Sequence, residues 1–184
     1  MIVNILTGIA ALMAIILIAA LFVSKKYSIK RDIVILKNKQ EVFDYIRYLQ
    51  NQEAYSKWVM TDPGMKKELR GTDGSVGFVY AWDSENKSAG KGEQEITGIR
   101  EDQDIDAEIR FEKPFQGIAH TRMSTETVSD GHTMVIWSMN GVQKYPMNLM
   151  NLFIDKMLGT DMDLSLKNLK NILENKVNVS FHQN

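Results

Sequence analysis

The chain has 184 residues, a net charge of −1 and no cysteine. The balanced charge and a pI near 6.3 argue against a nucleic-acid binder, which usually has a basic face and a high pI. The lack of cysteine excludes disulfide scaffolds, thiolate metal sites and cysteine nucleophiles. Of the first 23 residues, 20 are apolar, so the sequence predicts one apolar segment followed by one soluble domain. A single such segment excludes a polytopic transporter.

The apolar run from Ile2 to Val23 spans 22 residues. As a helix it would be about 33 Å long, enough to cross the ~30 Å hydrocarbon layer of a bilayer. We therefore predict a retained transmembrane anchor over residues 1–24, which contacts the membrane through residues 2–23. The alternative is a cleaved signal peptide, which needs basic residues before the apolar stretch and a small-residue cleavage site after it. Neither feature precedes Lys25, so the anchor is favoured.

The residues that follow the apolar run are mainly basic. Six lysines and arginines lie between Lys25 and Lys39, against one acid, Asp32. Positively charged flanks tend to stay on the cytoplasmic side of a membrane. We therefore expect a single-pass protein of the cell membrane whose soluble domain faces the cytoplasm.

The soluble part is predicted to begin with a strand from Tyr27 to Leu36, which ends in a β-branched run. Asn38 is a candidate helix N-cap, because Glu41 stands three residues later and apolar residues follow at helical spacing. A second short helix or turn is expected over residues 51–58. The sequence Asp62-Pro63-Gly64 then predicts a turn that ends it.

The stretch from this turn to Met139 has the pattern of strands joined by short connections, which predicts an antiparallel meander. Polar and apolar residues alternate most cleanly from Asp104 to Phe111, so one face of the sheet is expected to meet water. Apolar residues from Met162 to Leu173 then recur on one helical stripe. Gly159, just before them, predicts a break or a soft spot in the helix.

A curved sheet cannot bury its inner face alone, and the C-terminal helix is the available cover. We therefore expect an α+β fold, in which a curved antiparallel sheet of about six or seven strands is wrapped around a long C-terminal helix. Two short helices follow the first strand, and one transmembrane helix precedes the domain. The domain is assigned to residues 27–175, and residues 176–184 are expected to form a polar tail.

This order of elements resembles the SRPBCC superfamily, also called START-like or helix-grip proteins, in the branch often labelled polyketide cyclase/dehydratase-like. The stretches that carry the resemblance are Ile33–Leu49, Tyr55–Trp58, Asp130–Gly141, and Gly159 with Leu166, Leu169 and Leu173. The resemblance implies a cavity between the sheet and the long helix that holds a hydrophobic or amphipathic small molecule or lipid. Because the family includes enzymes, lipid carriers and receptors, the fold does not decide the function.

Large apolar residues that share a strand or helix face are the candidates for the wall of such a cavity. They are Phe78, Tyr80, Trp82, Ile109, Phe111, Trp137, Met139, Phe153 and Met157. Six of the eleven methionines fall between Met134 and Met162, and methionine adapts well to irregular apolar ligands. The alternative is an ordinary filled core, since aromatic residues at strand spacing most often serve packing.

Catalysis in the cavity would need a positioned acid or base, and the candidates are His120, Glu93 and Glu95. The two glutamates share one strand face, so they could form a carboxylate pair if that face is inward. We expect the face to be outward and the pair to be surface charge. His120 lies within a strand and His132 follows a turn, and a structural or solvated role is favoured for both.

Asp104, Asp106 and Glu108 share an outward strand face and are expected to be solvated rather than to bind a metal. The sequence contains no zinc-protease, nucleophile-elbow, phosphate-loop or calcium-loop motif. No metal and no cofactor are therefore predicted. His182 falls in the predicted polar tail and is not a candidate for chemistry.

Three classes of function remain open from the sequence. The leading hypothesis is a membrane-anchored START-like domain that binds a hydrophobic ligand non-covalently. The second is a cyclase- or dehydratase-like enzyme, which would need a catalytic group aimed into the cavity, and the third is a scaffold domain with a filled core and an exposed apolar patch. The oligomeric state stays open, because the anchor lacks a GxxxG motif.

Overall fold

The structure is a computed structural model that describes residues 2–175. Its helices are α1 (Ile2–Phe22), α2 (Lys39–Ile46), α3 (Gln52–Tyr55), α4 (Lys57–Met60) and α5 (Thr160–Asn175), with 3₁₀ turns at Leu49–Asn51 and Met147–Leu152 and a π-helical turn at Asp155–Gly159. Its strands are β1 (Lys26–Ile35), β2 (Lys66–Arg70), β3 (Val79–Asp83), β4 (Lys91–Arg100), β5 (Asp104–Lys113), β6 (Gly117–Ser129) and β7 (His132–Val142). The predicted polar tail and His182 lie outside the described residues.

Within residues 2–175, seven strands form one curved antiparallel sheet in the order β1-β7-β6-β5-β4-β3-β2. The first and the last strand along the chain are therefore neighbours, because β1 pairs with β7 along its whole length. Strands β2 to β7 form a meander in which each strand pairs with the next along the chain. This arrangement, with α5 across the inner face, confirms the predicted helix-grip fold.

The short helices after β1 follow local sequence signals. The side-chain oxygen of Asn38 accepts a hydrogen bond from the backbone N–H of Glu41 at 2.9 Å, which confirms the predicted N-cap of α2. Helix α2 buries Val42, Phe43 and Ile46. The second predicted helix is split in two at Ser56, whose backbone is extended.

The inner face of the sheet and one face of α5 share a single hydrophobic core. Helix α5 buries Met162, Leu166, Leu169 and Leu173, the stripe that the sequence predicts. Exposure alternates along β7, as expected for a strand with one face on the core. Truncating a buried leucine in such a core to alanine typically costs ~2–5 kcal/mol.

At Gly159, where the sequence predicts a break or a soft spot, the structure has a π-helical turn that lies very close to β1. The guanidinium of Arg31, on β1, contacts Gly159 so closely that a Cβ at that position would overlap it. The same guanidinium pairs with Asp155 at 2.9 Å and Asp163 at 3.1 Å. These contacts hold the π-helical turn against β1, which is an edge strand of the sheet.

One end of the sheet lies next to helix α1. Strand β1 begins at Lys26, only four residues beyond the last residue of α1, and Lys26 pairs with Val142 at the end of β7. Because neighbouring strands are antiparallel, β6 begins and β5 ends at this same end of the sheet. We call it the α1-proximal end.

Candidate functional site

A cavity of about 370 Å³ lies between the inner face of the sheet and the segment that leads into α5. Aromatic and aliphatic side chains supply most of its wall. The residues that line it from the sheet are Tyr80, Trp82, Gln94, Ile109, Phe111 and Met139, and those from the helical side are Trp58, Val59, Met147, Met150, Ile154, Met157 and Leu158. Protein interiors normally hold few voids larger than one water molecule, so a space of this size is a candidate binding site.

The sheet side of the cavity is built by aromatic rings held in place by their own contacts. Trp82 and Phe111 pack edge to face, with ring centroids 6.4 Å apart. The indole Nε1 of Trp82 donates a hydrogen bond to the carbonyl oxygen of Ala89 at 3.0 Å. This bond ties the β3–β4 connection to the cavity wall, so both the ring and the loop are positioned.

The helical side is rich in methionine. Four of the six methionines between Met134 and Met162 line the cavity, Met139 from the sheet and Met147, Met150 and Met157 from the helical side. Met162 instead packs in the core, fully buried. Flexible thioether side chains let one wall of a cavity adapt to ligands of different shape.

A few polar groups interrupt the apolar wall. The hydroxyl of Tyr80 donates a hydrogen bond to Glu53 at 3.0 Å, and burial, with this bond, raises the pKa of the phenol. Tyr80 is therefore neutral at physiological pH and acts as a positioned polar group. Gln52 and Gln94 also line the cavity, and in the described part of the chain their side-chain amides form no hydrogen bond, which leaves them available to a ligand.

Six of the nine residues predicted to bind a ligand line this cavity: Tyr80, Trp82, Ile109, Phe111, Met139 and Met157. Phe78 is buried in the core cluster instead. Trp137 is also buried behind the wall, where it packs edge to face on Trp58 at 5.7 Å between ring centroids. Phe153 is 60% exposed, because the residues before it form a 3₁₀ turn rather than an α-helix, which changes the residues that face inward.

The sequence reasoning missed several lining residues. Trp58, Gln94, Met147 and Met150 line the cavity but were not among the predicted residues. The methionine cluster pointed to the last two. Gln94 lies between Glu93 and Glu95 in the sequence, so the alternation of a strand places it on the opposite face, which is the cavity face. Nothing local in the sequence distinguishes Trp58.

The predicted acids and bases do not line the cavity. Glu93 and Glu95 lie on the outer face of the sheet, where Arg110 binds each of them at 2.7 Å. Hydrogen bonds from Arg110 and Arg70 hold the pKa of Glu93 below its usual value. The side chain of His120 is 62% exposed, with Nδ1 3.9 Å from a carboxylate oxygen of Glu108, and it borders an open groove outside the cavity.

The remaining titratable candidates serve structural roles. His132 lies exposed at its turn, with Nδ1 2.8 Å from the carbonyl oxygen of Asp130. Asp104 is 4% exposed, which corrects the prediction of a solvated side chain, because Arg100 covers it in an ion pair. Among residues 2–175, no group of three histidine, aspartate or glutamate side chains could hold a metal ion.

Helix α1 is long and apolar enough to span a membrane, a property shared with signal sequences. Its C-terminal end contacts the segment that lines the cavity. Asn148 donates hydrogen bonds to the carbonyl oxygens of Ala20 at 2.7 Å and Val23 at 2.8 Å, and Asn151 donates to that of Ser24 at 2.8 Å. We call Asn148 and Asn151 the asparagine clamp. It satisfies carbonyl groups that a helix end otherwise leaves unpaired.

Comparison with known proteins finds structural relatives only. No family model and no curated protein matches the sequence. The truncated norcoclaurine synthase from Thalictrum flavum superposes with a TM-score of 0.61 at 8% identity, covering 80% of this chain and 93% of that one. Ara h 8.0201 gives a TM-score of 0.52 at 17% identity, covering 79% and 99%. The di-domain ARO/CYC BexL from the BE-7585A biosynthetic pathway gives 0.59 at 15% identity, covering 82% and 50%.

Identities this low establish the fold and leave activity undetermined. The matches to norcoclaurine synthase and Ara h 8.0201 cover about four fifths of this chain and more than nine tenths of each of those chains. The residues after α1 therefore have the helix-grip fold, with a cavity between the sheet and the C-terminal helical segment.

Proposed function

We propose that this protein is a membrane-anchored helix-grip domain that binds a hydrophobic or amphipathic small molecule non-covalently in its cavity. The observation that carries the proposal is the cavity itself, about 370 Å³ in volume and lined mainly by aromatic, aliphatic and methionine side chains. Pockets of roughly 300–1,000 Å³ with such walls typically hold one small molecule. The affinity would come from burial of apolar ligand surface.

The polar groups of the wall support an amphipathic ligand. Gln52 and Gln94 offer amide donors and acceptors, and Tyr80 offers a neutral hydroxyl beside them in the lining. A few polar groups in an otherwise apolar pocket orient a ligand without holding a charge. A neutral head group, such as a hydroxyl or an amide, suits them better than a carboxylate.

The proposal includes retention of α1 as a membrane anchor. Asn148 is fully buried, and cleavage between Val23 and the start of β1 would remove both carbonyl acceptors of its amide, those of Ala20 and Val23. A buried amide without partners costs ~1–3 kcal/mol, which supports an anchor that stays attached. The basic residues from Lys25 to Lys39 support a cytoplasmic domain, and an alkaline phosphatase fused to the C-terminus should then be inactive.

Neither alternative function has an observation that favours it. An enzyme would need an acid or base aimed at the ligand, and Glu93, Glu95 and His120 lie outside the cavity. The names of two structural relatives, a norcoclaurine synthase and an ARO/CYC protein, describe those proteins. A scaffold domain would have a filled core, in contrast to the open space beside Trp58 and Trp82.

The three tryptophans of the chain permit a direct test. Trp58 and Trp82 line the cavity, and Trp137 packs against Trp58. The full chain in phosphatidylcholine vesicles is titrated with a polyene fatty alcohol whose absorption overlaps tryptophan emission. We expect saturable energy transfer at one site per chain, removed by excess of a non-fluorescent amphiphile. Transfer that rises linearly and resists competition would contradict ligand binding.

A further inference from the structure

The mouth of the cavity opens at the α1-proximal end of the sheet. The connection between β5 and β6 contributes Lys113, Phe115 and Gly117 to the lining, and the end of β7 contributes Val142. Strand β1 begins directly opposite Val142. The entrance to the cavity and the exit of the chain from α1 are therefore on the same side of the domain.

The asparagine clamp holds the segment after β7 beside the C-terminal end of α1. Besides the two asparagines, the hydroxyl of Tyr145 donates a hydrogen bond to the carbonyl oxygen of Leu17 at 3.2 Å. Leu17 lies five residues before the end of α1 at Phe22, which is roughly 8 Å along the helix axis. Elements that lie in the interfacial layer of a bilayer are buried ~5–10 Å, and tyrosine is enriched at that level.

The mouth is edged by apolar side chains that face outward. We define the mouth rim as Phe115, Ile118, Val142, Met150 and Met157, which all line the cavity. Each is also between 38% and 63% exposed. Leu152 and Phe153 extend the same surface and are exposed as well. Contiguous apolar surface of this kind marks contact with a membrane or a partner protein.

Unpaired positive charge surrounds this surface. Lys25 and Lys26 follow α1, Lys113 lines the cavity and Lys144 follows β7. Within residues 2–175 none of these four lysines forms an ion pair. Lysines beside a membrane gain about 1 kcal/mol each from anionic head groups, so apolar surface and charge together fit a lipid surface better than a protein.

We infer that the mouth rim is docked in the interfacial layer of the bilayer that α1 spans, and that the asparagine clamp fixes the domain in this orientation. The inference rests on the proposed function for the membrane-spanning role of α1. The cavity then opens into the bilayer rather than into the aqueous phase. A ligand then passes between membrane and cavity at the rim.

Because the chain has no cysteine, single labels test the inference in the full chain. Phe115→Cys and Phe153→Cys carry a fluorophore near the mouth, and Asp130→Cys carries it at the turn between β6 and β7 at the opposite end of the sheet. In vesicles containing anionic lipid, we expect nitroxide groups on lipid acyl chains to quench the first two labels several-fold more than the third, and aqueous iodide to do the reverse. Equal responses at all three positions would overturn the inference.

The clamp is tested with Asn148→Ala in the Phe115→Cys background, against Asn140→Ala on the outer face of β7 as the matched control. Loss of the clamp should increase iodide quenching at the mouth toward the Asp130→Cys value, and the control should leave it unchanged. Asn151→Ala removes the half-exposed member of the clamp and should act in the same direction if the first variant does not fold. Unchanged quenching in both clamp variants would refute the role of the clamp.

These outcomes separate the inference from the proposed function. Saturable energy transfer with a water-exposed rim would leave ligand binding intact and refute the docking. A membrane-embedded rim without saturable transfer would support the docking and refute ligand binding.

Discussion

Gly117→Phe is expected to fill about half of the cavity without harming the fold. Gly117 is the first residue of β6 and pairs with Phe111, so both positions face the same side of the sheet. A Cβ at Gly117 would meet no atom within 4 Å, and the backbone there does not require glycine. The new ring is therefore free to enter the cavity, and a strand residue with a side chain should stabilise β6 slightly.

The size of the effect follows from the volume. A sphere of 370 Å³ has a surface of roughly 250 Å², which contributes ~6 kcal/mol of ligand affinity at ~25 cal/mol per Å² of buried apolar surface. A phenylalanine side chain adds seven carbons at about 30 Å³ each, taking the volume share of a water molecule as a guide. Losing about half of the space should cost ~3 kcal/mol, or on the order of 100-fold in affinity.

The assay is the tryptophan energy-transfer titration in vesicles, run beside thermal unfolding. Gly98→Phe is the matched control, because Gly98 pairs with Asp106 on the outer face of the sheet and a Cβ there would make ordinary contacts at 3.5 Å or more. We expect wild-type affinity in the control and the large loss in Gly117→Phe at unchanged melting temperature. Equal affinity in the two folded variants would refute the assignment of the cavity as the binding site.

Three further predictions test the polar groups and the packing. The pKa of Glu93 is lowered in the folded state, so its contribution to stability is present above the usual glutamate pKa of about 4.3 and is lost as pH falls below it. Glu93→Gln should therefore reduce the fall of melting temperature on acidification. Equal falls of melting temperature in wild type and variant would contradict this. Gly159→Ala should destabilise by roughly 1–3 kcal/mol in thermal unfolding, because its methyl group displaces Arg31. Gln94→Leu should weaken binding of an alcohol-headed amphiphile more than that of an alkane in the same titration, and an equal effect on both would remove Gln94 as an orienting group.

The elements that the sequence predicted well depend on neighbours in the chain. The N-cap Asn38 and its partner Glu41 are three residues apart, and buried and half-buried residues alternate along β5 from Ile105 to Arg110. Such signals can be read locally because the hydrogen bond or the strand period needs no distant partner. The same locality made the order of elements, and hence the fold, predictable.

The parts that were missed depend on contacts between distant residues. The region from Met147 to Gly159 forms 3₁₀ and π turns rather than a regular helix, because Asn148 binds the end of α1 and Arg31 packs on Gly159. No periodicity in the sequence encodes those partners. Phe153 was therefore placed in the cavity wall by helical spacing, although it faces outward.

The sequence favoured an outward face for Glu93 and Glu95 on β4, but it did not supply the reason. Glu93 and Glu95 turn outward because Arg110 on the neighbouring strand binds both, and this pairing follows from the register between β4 and β5. Whether the aromatic residues fill a core or line a cavity is likewise a question of distance between sheet and helices. An apolar stripe has the same pattern in both cases.

Native mass spectrometry of the full chain, purified from its own host membranes and released from detergent in the gas phase, tests the central claim most directly. The wild type and Gly98→Phe should each retain one apolar small molecule per chain after the detergent is removed, and Gly117→Phe should appear at the mass of the bare chain. A wild-type chain that carries no bound molecule, or a Gly117→Phe variant that carries the same one, would contradict a ligand-binding cavity between the sheet and the C-terminal helical segment.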